Sequence, residues 1–271
     1  MNVAPTACLR AGLLAALCLS AACATRPSTA TASADTATPA SPAGVDAGWS
    51  DARQLVLVTT AGPDATSGEL RTFERDGDRW REVGAATDVS VGRTGIAWGE
   101  GLHPDQPGLQ KREGDGRAPA GVFRIGPAFG YADTASTALP YQPMSGSHWC
   151  MDVPDSPLYN RIVDAREVGE AAVEGSSEPM RLDLRTPGDA RYRLGFVIEH
   201  NAEARPGAGS CIFAHLWKAP GAPTAGCTAM ASPAMERLLG WLDPRQRPVF
   251  VLLTAADAAR LRDDWRLPAL D

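Results

Sequence analysis

The stretch "IFAHLWKAPGAPTAGCTAM", Ile212 to Met230, places one histidine and one cysteine twelve positions apart, His215 and Cys227, across a loop rich in Gly, Pro and Ala. A cysteine acts as a nucleophile through its thiolate, and a neighbouring histidine can take the thiol proton. The residues around Cys227 are small: Thr224, Ala225 and Gly226 before it, Thr228 and Ala229 after it. Such a neighbourhood lets a substrate carbonyl approach, and the backbone amides of Gly226 and Cys227 are candidates for an oxyanion site. A buried structural cysteine fits the same pair, because burial is among the commonest fates of that residue. The pair alone does not decide between them. The other cysteines and histidines show no ligand-like spacing, so no metal is expected, and no cofactor is implied.

The elements that must hold this pair read as strands. "QLVLVTT" (Gln54 to Thr60) is β-branched and ends at the turn signal "AGPD"; "ELRTFER", "WREVG", "TGIAWGE" and "AGVFRIG" follow at short spacing. "YRLGFVIEHN" (Tyr192 to Asn201) is the most apolar run and predicts a central strand. "SCIFAHLW" (Ser210 to Trp217) has strand composition, which puts His215 near a strand end. Helical signals come late. "SPAMERLLGWL" predicts a helix with Ser232 as N-cap and Pro233 in its first turn, and "TAADAARLRDDW" opens with Thr254 in a capping-box-like start after the strand "PVFVLLT". Many short strands with few helices predict a mainly β sandwich or barrel.

The chain has 271 residues, 44% hydrophobic and 21% charged, with a formal net charge of −6. It can bury a sizeable core, and the acidic balance argues against nucleic acid as partner. The N-terminus carries Arg10 and then "AGLLAALCLSAAC", too short to span a bilayer. It predicts a signal peptide over residues 1–22 and a protein working outside the cytoplasm, in the periplasm. "LSAAC" also resembles a lipoprotein signal with Cys23 as the lipidated first residue, although Ser20 stands where Leu is usual, and cleavage at Ser20-Ala21-Ala22 stays open beside it. Residues 23–49, mostly Ala, Thr, Ser and Pro, read as a disordered tether. The folded domain is expected over residues 50–271 and retains three cysteines, Cys150, Cys211 and Cys227.

Taken together, these segments resemble the L,D-transpeptidases (YkuD-like catalytic domain), whose signature is a His, a loop and then Ser/Thr-His-Gly-Cys. Here those parts are His215, the loop Leu216 to Pro223, and "TAGC" at Thr224 to Cys227. Upstream, "KREGDGRAPAGVFRIG" is similar to the family's turn-and-strand segment. "GSCIFAH" is similar to the strand leading to its histidine, and "CMDVPDSPLYN" to a stretch of a periplasmic subgroup. The resemblance runs from about Gln54 to Leu253. It departs at two places: Ala225 stands where most members have His, and Ala229 where many have Arg.

The resemblance implies a β-sandwich-like catalytic domain acting on peptidoglycan stem peptides through a thioester on Cys227, with His215 as proton donor and acceptor. An amine or water then resolves the acyl-enzyme, so a transpeptidase, an L,D-carboxypeptidase or an amidase are all open, as is a wall-binding lipoprotein that has lost activity. Among the residues themselves, Thr224 beside the cysteine, Tyr159 and Asn160 for a polar peptide or glycan, and Arg117 for a substrate carboxylate are candidate substrate contacts. A structural Tyr-Asn turn and a solvated loop Arg are the alternatives. If Cys227 is to work as a thiolate, the simplest arrangement joins Cys150 to Cys211 in a disulfide; two separate buried thiols are the alternative.

Overall fold

A computed structural model describes residues 48–270. The expected signal peptide, Cys23 and nearly all of the expected tether lie outside the described residues. Trp49, which composition assigns to the end of the tether, belongs to the domain instead. It is 4% exposed and packs edge-on against Trp265 with ring centroids 5.5 Å apart. A large aromatic buries far more apolar surface than Ala, Ser or Thr, which gives Trp49 a place in the core.

The chain is mainly β, as composition and spacing predict. Its strands are β1 (Gln54–Thr60), β2 (Ser67–Asp76), β3 (Arg79–Ser90), β4 (Ile96–Trp98), β5 (Ala118–Gly130), β6 (Tyr141–Pro143), β7 (His148–Cys150), β8 (Ile162–Asp164), β9 (Glu178–Pro179), β10 (Leu194–Ile198), β11 (Phe213–Leu216), β12 (Thr228–Met230) and β13 (Val249–Thr254). Three short helices accompany them: α1 (Ala165–Val168), α2 (Ser232–Trp241) and α3 (Ala255–Leu261). The main sheet runs β10-β11-β12-β3-β2-β1-β13-β5, and β5 also pairs with β10, so the sheet closes on itself. Closure needs one long strand shared by two neighbours. The first part of β5 pairs with β13 (Gly121 to Arg124), and its second part pairs with β10 (Ile125 to Gly130). A separate small sheet, β8-β7-β9, stands outside the barrel.

Strand alternation sorts the side chains into two cores. Ala214 and Leu216 on β11, Phe196 and Ile198 on β10, and Met230 on β12 point into the barrel and join its main core. Phe213 on β11, Phe129 on β5 and Cys227 just before β12 point the other way, into a second core with Cys150, Met180, Tyr192 and Cys211. This period of two sets the register of the site: Phe213 and His215 share the outer face of β11, as Cys227 and Ala229 share the outer face of β12.

Helix α3 starts as the sequence predicts, with Thr254 Oγ1 accepting the Asp257 amide at 2.9 Å. Helix α2 differs by one residue. Its N-cap is Ala231, and Ser232 lies inside the first turn, its hydroxyl donating to Glu236 Oε1 at 2.8 Å. Pro233 presets the helical φ of that turn, and a serine hydroxyl held by a glutamate one turn on no longer caps.

Candidate active site

Two parallel strands bring His215 and Cys227 together. In the β11–β12 ladder His215 is opposite Ala229, and Cys227 enters that ladder one residue before Thr228. A twelve-residue separation in sequence thus becomes adjacency across two neighbouring strands. The intervening loop is pinned at its end: the Thr224 amide donates to Val91 O at 2.9 Å, and the Arg93 amide donates to Thr224 O at 2.8 Å. On the far side of β11, Gly195 is opposite His215, and a Cβ there would meet Ala214 O at 2.4 Å and the Phe129 ring at 2.8 Å. Only glycine lets β10 pack this closely beneath the histidine.

His215 is 4% exposed and Cys227 7%, and both line a cavity of about 420 Å³. His215 Nδ1 is 2.7 Å from Leu216 O. A carbonyl only accepts, so Nδ1 carries the proton and Nε2 keeps its lone pair. Burial holds His215 neutral by lowering its pKa to about 4. Cys227 Sγ accepts from the Phe213 amide at 3.4 Å and donates to Cys211 O at 3.5 Å. Burial, reinforced by the charge of Glu178, pushes the thiol up to about 12. The resting pair is therefore thiol and neutral imidazole, not a preformed ion pair.

The turn before the cysteine is held by Thr224. Its Oγ1 donates to Cys227 O at 2.6 Å and accepts the Gly226 amide at 3.1 Å. The Gly226 amide is thus engaged by a side chain, which takes it out of the expected oxyanion pair and leaves the Cys227 amide as the candidate donor. Gly226 is still required sterically. Its φ is +156°, and a Cβ would lie 3.0 Å from Arg117 O.

The other expected contacts divide sharply. Thr224 lines the cavity. Tyr159, Asn160 and Arg117 do not, because each is committed to the framework. Tyr159 is fully buried and donates its hydroxyl to Glu113, which Ser210 also reaches at 2.6 Å; burial and the Glu113 carboxylate raise the phenol well above its ordinary range. Asn160 sits at φ +61°, donates to His200 O and Asn201 O at 2.9 Å each, and accepts the Cys211 amide at 2.9 Å. Arg117 donates to Pro63 O and Ile96 O and pairs with Asp64 at 2.9 Å. Side chains committed in this way to the framework are turned away from the cavity lining.

Cys150 and Cys211 form a disulfide with Cα atoms 5.9 Å apart, and Cys227 is a free thiol. The bridge ties β7 of the small sheet to the segment leading into β11. Cys211 holds φ +56°, and its carbonyl is the acceptor for the Cys227 thiol.

Two residues that sequence reading passed over also line the cavity. Tyr192 packs its ring edge-on against His215 at 5.2 Å and donates its hydroxyl to Glu178 at 2.5 Å. Burial raises Glu178 to about 7, with the Tyr192 hydrogen bond opposing and the charge of Asp152 adding. Tyr192 opens the apolar run of β10, which offered a signal in hindsight. Glu178, in a two-residue strand, offered none. Ala225 and Ala229 face the cavity as well, so the two departures from the family signature lie in its wall. Among the described residues no three His, Cys, Asp or Glu side chains are grouped to hold a metal ion, and no helix is long and apolar enough to cross a membrane.

Compared with known proteins, residues 64–251 match the family model of the YkuD L,D-transpeptidase catalytic domain. No curated protein matches the chain. Among solved structures, that of Bdellovibrio bacteriovorus Bd1075 is similar at 12% identity with a TM-score of 0.37, covering 79% of this chain, and the chain spans 55% of that structure's length. The family match covers more than half of the 271 residues and contains the cysteine, the histidine and the strands that carry them. The chain therefore belongs to the YkuD family of L,D-transpeptidase catalytic domains.

Proposed function

We propose that this protein is an exported cysteine acyltransferase that acts on peptidoglycan stem peptides. Cys227 attacks an amide carbonyl of the donor stem while its proton passes to His215 Nε2. The C–N bond breaks, the leaving amine takes the proton from His215, and the acyl group remains on sulfur as a thioester. An amine or water then attacks the thioester and releases Cys227. The observation that carries this reading is the free thiol of Cys227 and the neutral imidazole of His215 on adjacent parallel strands, lining one cavity of about 420 Å³. The Cys150–Cys211 bond supports work in an oxidising compartment, the periplasm, because such bonds persist there. Attachment through Cys23 belongs to the same proposal.

The test is intact-protein mass spectrometry after incubation with wall-derived stem peptides, followed by muropeptide analysis of the products. The expected result is one acyl mass on the native chain, mapped to Cys227, and none on Cys227→Ala. A carbapenem-type β-lactam should add one drug mass at the same residue. Product formation by Cys227→Ala at the native rate would sink the mechanism. The ratio of cross-linked to trimmed muropeptides separates transpeptidation from hydrolysis.

A further inference from the structure

We infer that Glu178 receives the acceptor amine in the second half-reaction, so that the site favours aminolysis of the thioester over hydrolysis. This rests on the cysteine acyltransferase reading above.

Glu178 opens β9, opposite Cys150 of β7, and lines the cavity that holds Cys227 and His215. One carboxylate oxygen, Oε1, accepts the Tyr192 hydroxyl, while Oε2 has no hydrogen-bond partner among the described residues and is not sealed from solvent. Tyr192 fixes the carboxylate at one end and packs on His215 at the other, which sets the distance between acceptor site and base. The charges that face Glu178 are Asp152 and Glu113, which disfavour a further negative charge, and Arg191, which favours it. Arg191 is already paired with Asp189 at 2.7 Å, and nearby Lys111 with Asp115 at 2.6 Å. Arg93 and Lys218 also line the cavity and have no ion pair among the described residues. The charges that act most on Glu178, however, are those of Asp152, Arg191 and Glu113, and with Arg191 paired to Asp189 the immediate surroundings of Oε2 suit a protonated amine. Burial holds the proton affinity of Glu178 near neutrality, about 7, so it can bind an ammonium group and take its proton at physiological pH.

The step balances as follows. An acceptor arrives as R–NH3+, and Glu178 takes one proton to become the neutral acid. The resulting R–NH2 attacks the thioester carbonyl, a C–N bond forms and the C–S bond breaks. The second amine proton passes through His215 Nε2 to the departing sulfur, which restores the thiol. Glu178 returns its proton to solvent. Water needs no such ammonium site, and this is the basis of the selectivity.

Glu178→Gln keeps the shape and removes the base. The full chain is acylated with a stem peptide and the acyl-enzyme is partitioned between water and an added amine. Glycine is the ammonium probe, and hydroxylamine, neutral at pH 7, is the probe that needs no deprotonation. The expected result is a glycine partition at least about tenfold lower in Glu178→Gln with the hydroxylamine partition retained, a general-base signature. Tyr192→Phe keeps the ring on His215 and removes one hydrogen bond from the carboxylate, so the glycine partition should switch on at higher pH than in the native chain. Equal loss with both amines, or no loss with glycine, overturns the inference. Absence of any acyl adduct on the native chain is seen before an acceptor is added. It overturns the parent reading and takes this one with it, so the two failures are distinguishable.

Discussion

The barrel interior and the second core beneath the cavity are built on different principles. The barrel core is long-strand and apolar throughout: β1 pairs with β13 in parallel over six residues, and both strands are almost wholly buried. The second core is assembled from pieces: three outward side chains of barrel strands, a disulfide, a buried tyrosine and the edge of a three-stranded sheet with strands of two or three residues. The first is stabilised by area removed from water, the second by a covalent link and by specific hydrogen bonds. Cys227 and His215, the proposed nucleophile and base, lie where the two meet. His215 belongs to the β11–β12 ladder and Cys227 leads directly into it, while the walls that shape the cavity, Glu178 and Tyr192 among them, belong to the pieced-together side. That division suits an enzyme whose chemistry must be held fixed while its substrate contacts vary.

The largest expected break is at the junction. His215→Ala should lower turnover by roughly 10²- to 10⁴-fold, as loss of a general base does. Thermal stability should fall as in a buried truncation of similar size, because the packing on Tyr192 and the hydrogen bond to Leu216 O are both lost. Steady-state rates and melting curves on the same preparation check both. Unchanged turnover would remove His215 from the mechanism.

Next in size is the disulfide. Cys150→Ala with Cys211→Ala removes a crosslink between residues 61 apart, worth about 4 kcal/mol in the chain-entropy model. The loss should be local. Hydrogen exchange should report opening of the small sheet and of the segment before β11, with β1 and β13 still protected. Activity should fall with the wall, although Cys227 and His215 remain. Uniform loss of protection would mean that the two cores fold as one unit.

Acid separates them by sign. His215 and His200 are both buried and held neutral, each lowered to about 4. A histidine whose folded pKa lies below its unfolded value contributes stability at neutral pH that is lost as pH falls, here from about 6.5 to about 4. Glu178 does the reverse: raised to about 7, its contribution is present in acid and lost as pH rises through that value. Two histidines against one glutamate leave a net loss on the order of 3 kcal/mol on acidification through this window. Denaturant melts from pH 7 to pH 4 should show it. His200→Phe should flatten the acid limb and Glu178→Gln should steepen it; identical limbs in all three proteins would contradict the burial argument.

The same division explains what could be read in advance. The barrel was legible because its strands are long enough to show a pattern: β1 spans the seven residues that composition marks, and the apolar runs around Phe196 and Phe250 become β10 and β13. Cys227 and His215 were legible because a short loop between a strand and a small-residue turn leaves few places for them. Tyr159, Asn160 and Arg117 were legible only as polar residues near the right segments. What they do is set by distant partners, Glu113, Cys211 and Asp64, which no local pattern encodes. Glu178 was invisible for the same reason: it acquires its character from burial and from Tyr192, fourteen residues away. Strand periodicity reports which face a residue takes, and the wall of this site is made where strands are too short to have one.

The smallest effect tests whether comparable losses differ by region. Thr254→Ala removes the N-cap of α3, where the hydroxyl accepts the Asp257 amide and donates to its carboxylate. The cost should be about 1 kcal/mol, with turnover unchanged, because α3 packs on β13 and β1 away from the cavity. Asn160→Ala also removes side-chain hydrogen bonds, but those bonds position Cys211, whose carbonyl holds the Cys227 thiol. Its backbone at φ +61° disfavours alanine as well. Asn160→Gly relieves that backbone strain and still lacks the amide. If the wall works by positioning, Asn160→Gly should recover stability relative to Asn160→Ala, yet remain impaired in acylation by several-fold. Acylation rates of the three variants, each compared with its own melting point, provide the measurement. Full recovery of acylation in Asn160→Gly would show that the backbone conformation at residue 160, and not its amide, is what holds Cys227 in place.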